Sequence, residues 1–230
     1  MLSRLRLQVN AIRRQSVAER DGTVTYTAAI ETAATLDTDK APSAFTQRVL
    51  REATRRRFTA ADRTVGLGDG APWIWSIAQE LFPRAIQIVD RFHVQQHLSH
   101  LGKAIYGADS PQARAWAQRR CEELDSGRLR DLLRAIRRRA DRWEEARKCF
   151  QYLHHNRERM RYPAFEARGL CTSTGVVEAG CKVAIGARLK RAGMHWTTAG
   201  AKAILAPRCC RLSGCFQDFR ERRTERQKAA

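Results

Sequence analysis

Residues 64–98, TVGLGDGAPWIWSIAQELFPRAIQIVDRFHVQQHL, restrict the fold more than any other part of the chain. A short apolar run over 64–67 ends in Gly68-Asp69-Gly70. Pro72 then opens an amphipathic segment over 73–81, and Pro in the first helical turn is a start signal. A second apolar run over 85–89 ends in Asp90, and a third segment over 92–106 carries His93 and His97. Apolar runs this short, β-branched and bounded by Gly and Pro, read as strands. The order is strand, acid, helix, strand, acid, helix. An acid just past the carboxyl end of a strand stands where open α/β sheets place their chemistry. The plainer alternative is that Asp69 and Asp90 cap the helices that follow them.

The alternation extends upstream. TVTYTAAI over 23–30 is β-prone, 35–40 is polar and reads as a loop, and Pro42-Ser43 opens a helix to residue 57. In that helix Phe45, Val49 and Ala53 recur at i, i+4, i+8. Residues 23–106 thus predict an α/β layout with part of the sheet parallel. Residues 1–22 are basic, lack clear periodicity and read as irregular, ending in the turn signal Asp21-Gly22. Residues 107–168 hold no strand candidate. The stretches 113–124, 129–140 and 143–160 each show helical spacing, so this region reads as a helical insertion. A loop over 162–175 follows, then a helix from Val176 to residue 189 carrying Glu178 and Lys182, then a turn at Gly193-Met194-His195-Trp196. A further helix over 197–212 is expected to bend near Pro207. The charged tail, 216–230, is expected to fray.

Charge narrows the function classes. The chain has 230 residues, with 43 Lys and Arg against 24 Asp and Glu, a net +19. A field of that sign favours phosphate polymers or anionic surfaces. No run of eighteen apolar residues is present, so no membrane span is expected and nucleic acid is the better partner. Seven cysteines, an odd number with no CxxC pair, read as reduced and mostly buried in a cytoplasmic protein. Between residues 128 and 148 Arg and Lys occur nine times against four acids, which reads as a basic helical face.

Three carboxylates stand out: Asp69, Asp90 and Glu178. Carboxylates gathered in one cleft bind hard divalent cations such as Mg²⁺. Two such ions about 4 Å apart activate a nucleophile and stabilise a leaving oxygen in phosphodiester chemistry. Glu178 also has plainer roles, as a helix cap or as the i, i+4 partner of Lys182. His93 and His97, at i, i+4, could hold a metal or could simply pack. Spacing alone carries the reading as far as a candidate metal nuclease.

GDGAPWIWSIAQELFPRAIQIVDRFHVQQHL and TSTGVVEAGCKVAIGARLKRAGMHWT resemble bacterial insertion-sequence transposases of the Kra group, relatives of the Mutator-like transposases. The resemblance covers roughly residues 23–223. It implies a partial RNase H-like catalytic domain over 23–106 and 169–215, interrupted by the insertion at 107–168. It implies DNA cleavage and strand transfer by an Asp-Asp-Glu site with two Mg²⁺ or Mn²⁺ ions. The implied partners are terminal inverted repeats and target DNA, with assembly as a homo-oligomer. Asp69 resembles the family's second catalytic acid, and Glu178, 109 residues later, its closing Glu. Asp90 and His93 resemble a supporting Asp-x-x-His pair. Lys182, Arg188, Lys190 and Arg191 are the expected DNA contacts.

The family's first acid lies on a strand earlier than 23–30. Residues 1–20 show no strand ending in an acid. Asp21 is the nearest stand-in, and Asp37 and Asp39 have weaker claims. The chain therefore reads as an N-terminally truncated transposase, inactive or weak. The alternative is a non-enzymatic DNA-binding protein or regulator derived from one.

Overall fold

The computed structural model describes residues 5–13, 24–32, 44–175, 182–189 and 195–228. They fall into two compact units, one of residues 57–174 and one combining 1–56 with 175–230. The described structure is mostly helical, with a small parallel sheet that gives it an α/β character.

In the 57–174 unit, β3 (Val65–Gly68) and β4 (Ile86–Val89) pair in parallel, Val65 opposite Ile86 and Gly68 opposite Val89. Helix α2 (Pro72–Leu81) makes the crossover, with Pro72 in its first turn. Helix α3 (Arg91–Tyr106) leaves directly from β4. The helices α4 (Pro111–Asp125), α5 (Leu129–Ala140) and α6 (Glu144–His155) follow, then a 3-10 turn, Arg157–Met160. Ile88, Val89, Val94, Leu98, Leu124, Leu132, Ile136, Leu153 and Tyr162 form one continuous core. Residues 107–168 therefore share a hydrophobic interior with the sheet. Leu132 and Ile136 are fully buried at i, i+4 on α5. Each such side chain contributes about 1.5–3 kcal/mol of burial free energy.

In the other unit, β1 (Leu5–Arg13) pairs antiparallel with β2 (Val24–Thr32). Helix α1 (Ala44–Arg55) follows β2 in sequence. After a π-helical turn, Lys182–Gly186, comes the short α8 (Ala187–Leu189), then α9 (Thr198–Leu212) and α10 (Phe216–Lys228). Thr197 caps α9 by accepting from the Gly200 N–H at 3.1 Å. Helix α9 packs on β2, with Ile185, Ala201, Leu205 and Cys209 buried against Tyr26 and Ala28. The Tyr26 N–H donates to Ser213 Oγ at 2.8 Å.

Several expectations are corrected. Residues 1–22 are not irregular throughout, because β1 occupies Leu5–Arg13. Leu5, Leu7, Val9 and Ala11 alternate with polar residues, the period of a strand, under a basic composition. The strand over 24–32 pairs with β1 rather than continuing the β3–β4 sheet. The region 162–175 is not all loop: α7 (Tyr162–Ala167) carries Pro163 in its first turn and buries Tyr162 and Phe165. The tail is helical over Phe216–Lys228, a run rich in the helix formers Arg, Glu and Gln. The segment 143–160 breaks at Asn156, where helix passes to 3-10 turn. The helix expected over 197–212 is present as α9, with Pro207 inside it.

Candidate functional site

The Gly68-Asp69-Gly70 turn lies at the carboxyl end of β3. Asp69 is exposed, and its Oδ1 accepts from the Ala71 N–H at 3.0 Å, closing a side-chain turn two residues long. It does not cap α2, whose N-cap is Ala71. Among the described residues nothing donates to Asp69 Oδ2. That oxygen is open to a cation or to solvent, so the Asp69 carboxylate fits a hard-cation ligand.

Two side chains from α6 and its end hold this turn. Tyr152 OH donates to the Asp69 carbonyl at 2.8 Å. Asn156, 1% exposed, donates from Nδ2 to the Gly70 carbonyl at 3.3 Å and to the Tyr152 carbonyl at 3.1 Å. Its Oδ1 accepts from Trp75 Nε1 at 2.9 Å. Gly70 has φ +92°, and a Cβ there would sit 2.7 Å from the Tyr152 ring. Only glycine combines that backbone conformation with that approach. Sequence reasoning missed Tyr152 and Asn156. Their one signal is i, i+4 spacing at a helix end, where asparagine is also an ordinary terminator.

Asp90 is placed differently. It is buried, and both carboxylate oxygens are occupied. Oδ1 accepts from the Phe92 N–H at 3.1 Å and the Thr174 N–H at 3.2 Å, and Oδ2 accepts from Thr174 Oγ1. The Arg91 N–H donates to the Thr172 carbonyl at 2.9 Å, so residues 172–174 run beside the end of β4. Asp90 is the cap of α3 and ties that chain segment to the strand end. As a first-choice metal ligand it does not fit, because a cation would have to displace these donors.

His93 and His97 lie on one face of α3. Their Nε2 atoms are 3.2 Å apart and their rings stand edge to face, 4.8 Å between centroids. The His97 ring packs on Tyr152 at 4.4 Å. Burial pushes the His97 pKa below the ordinary imidazole value, with the charges of His93 and His100 acting in the same direction and Asp69 against them. Burial likewise raises the Tyr152 phenol, so it remains a donor to the Asp69 carbonyl.

Glu178, Lys190 and Arg191 lie outside the described residues, as do Asp21, Asp37 and Asp39. Lys182 is exposed in the π-helical turn, and Arg188 is in α8. Among the described residues no group of three or more His, Cys, Asp and Glu side chains converges as a metal site. The described cysteines are free; Cys149 and Cys209 are buried, and Cys171 is exposed. No described helix is long and apolar enough to cross a membrane.

The expected basic face is present on α5. Arg130, Arg134, Arg137 and Arg138 are exposed on the side opposite Leu132 and Ile136. Only Arg134 meets an acid there, Asp131 at 3.4 Å. Arg139 instead turns inward, its guanidinium 5.6 Å above the Trp116 ring and bonded to Tyr106 OH at 2.6 Å.

No curated protein and no solved structure matches the chain. Residues 56–228 match a family described as uncharacterised, UPF0236, and with three quarters of its length inside that match the chain belongs to this family.

Proposed function

We propose that the chain is a DNA-handling module of the transposase kind, with part of the RNase H-like core that cleaves and rejoins DNA at insertion-sequence ends but no assigned first catalytic Asp, so that its own cleavage of DNA is weak. The observation that carries this reading is the exposed Asp69 carboxylate at the end of a parallel strand, one oxygen without a described donor. The resemblance of the GDG and GVVEAGCK blocks to Kra-group transposases supports it, and so does the net charge of +19.

In this reading Asp69 and Glu178 hold the Mg²⁺ or Mn²⁺. The ions, when bound, supply charge to activate water or a DNA hydroxyl and to stabilise the leaving oxygen. Asp90 and His93 support the site: Asp90 fixes the end of β4, and His93 lies one helical turn beyond it. The α5 arginines, with Lys182, Arg188, Lys190 and Arg191, neutralise DNA phosphates. Terminal inverted repeats are the substrate, and a homo-oligomer brings two ends together.

A second reading, a DNA-binding protein without catalysis, is favoured by one observation. Asp90, the other strand-end acid of this unit, is consumed by internal hydrogen bonds. A nicking assay on supercoiled DNA separates the two. Mg²⁺-dependent nicking lost in both Asp69→Ala and Glu178→Ala supports the catalytic reading. Nicking that survives both changes overturns the site. DNA binding without nicking selects the second reading. Replacing Arg130, Arg134, Arg137 and Arg138 with Gln should weaken binding and flatten its salt dependence by up to about 0.9 in log–log slope per lost phosphate contact. An unchanged slope removes α5 from the interface.

A further inference from the structure

The geometry points to a transition-metal site formed by His93 Nε2 and His97 Nε2, for a borderline divalent ion of the Zn²⁺ class, separate from the carboxylate chemistry proposed above. Two imidazole nitrogens, each about 2.0–2.1 Å from one Zn²⁺ at a tetrahedral angle, lie about 3.3 Å apart. The pair stands at 3.2 Å, one helical turn apart on the same face of α3. The nitrogens already have the separation that a shared ion needs, and the rings turn to aim both lone pairs at it. Without metal, one nitrogen must donate a proton to the other. With metal, both turn lone pairs to the ion, and the displaced proton moves to Nδ1 of its own ring, so neutral imidazoles stay neutral.

The surroundings suit this role. Both rings are partly buried, which limits competition from bulk water. The remaining coordination positions go to water, since no third His, Cys, Asp or Glu converges among the described residues. Imidazole ligands select Zn²⁺-class ions over Mg²⁺, which prefers oxygen.

The site would act through Tyr152. The His97 ring packs 4.4 Å from the Tyr152 ring, and Tyr152 OH holds the Asp69 carbonyl. An ion fixing both imidazoles therefore stiffens the wall against which the Gly68-Asp69-Gly70 turn rests.

The test is a Zn²⁺ titration of the full chain against a chromophoric chelator, repeated with Co²⁺ to read the ligand set by absorption. Wild type should take up one Zn²⁺ that excess Mg²⁺ does not displace. The Co²⁺ spectrum should lack thiolate charge-transfer bands, which separates this site from the cysteines. His93→Gln and His97→Gln should each weaken binding by more than about tenfold. Zn²⁺ should raise the Tm of wild type but not of the double variant, each first checked for folding by circular dichroism. Equal binding by the folded double variant overturns the proposal. So does displacement by Mg²⁺, which places the ion on carboxylates, or a thiolate Co²⁺ spectrum. If the glutamine variants do not fold, His93→Asn and His97→Asn replace them under the same criteria. Zn²⁺ uptake is measured without DNA, so it stands or falls independently of the nicking result.

Discussion

Replacing Asn156 with Ala isolates the hold that α6 has on the turn carrying Asp69. The side chain is essentially fully buried and makes three hydrogen bonds: from Trp75 Nε1 at 2.9 Å, to the Gly70 carbonyl at 3.3 Å and to the Tyr152 carbonyl at 3.1 Å. Truncation leaves the Trp75 N–H, itself on a residue 5% exposed, without its acceptor. A buried polar group left unpaired costs about 1–3 kcal/mol. With the Gly70 carbonyl losing its donor as well, a total of about 2–4 kcal/mol follows, a large part of a typical domain stability of about 5–15 kcal/mol. Asn156→Asp sharpens the test. It keeps the acceptor for Trp75 but sets a carboxylate oxygen against two carbonyl oxygens, so it should cost at least as much as Ala. Urea denaturation followed by circular dichroism measures both, with a lower midpoint and an unchanged slope. In a double-mutant cycle, Asn156→Ala and Trp75→Phe should couple by about 1 kcal/mol. A loss below about 0.5 kcal/mol for Asn156→Ala would refute the reasoning, since surface substitutions commonly cost that little.

Gly70→Ala should destabilise by about 1–3 kcal/mol from its backbone conformation alone, and by more from the Tyr152 contact. Pairing it with Tyr152→Ala should relieve the contact but not the backbone strain, and full rescue in thermal melts would show the strain to be misjudged. Because the folded His97 pKa is depressed, its contribution to stability is complete above the unfolded value of about 6.5 and falls as pH drops through the folded pKa. His97→Gln should flatten that part of the stability–pH curve, and an unaltered slope in urea melts from pH 7.5 to 5 would count against it. Burial pushes the Cys149 thiol up to about 12, while Cys171 is exposed. Iodoacetamide at pH 8 should therefore label Cys171 well before Cys149 in peptide mass analysis, and equal rates would contradict the packing of α6.

The elements from 64 to 140 were legible because each is announced locally. Pro72 and Pro111 open helices, Gly68 and Gly107 close elements, and Leu132 with Ile136 marks the inner face of α5, whose bounds match the reading residue for residue. What escaped depends on distant partners. The alternation of β1 was readable, but basic composition hid it, and nothing local says that its partner is β2 rather than β3. Asp90 was readable as a cap; its bonds to Thr174, 84 residues away, were not. The same limit applies to the GDG turn. Its glycines advertise a close approach, yet they do not say that Tyr152 makes it. Asp69 and Asp90, alike in sequence as acids after strands, thereby come to opposite chemical situations. One is exposed with an oxygen to spare, and the other is buried with both oxygens bonded. Position at a strand end nominates an acid for chemistry. The donors that the rest of the chain brings to it decide whether the carboxylate is still available, and here they leave Asp69 as the acid through which a cation could act.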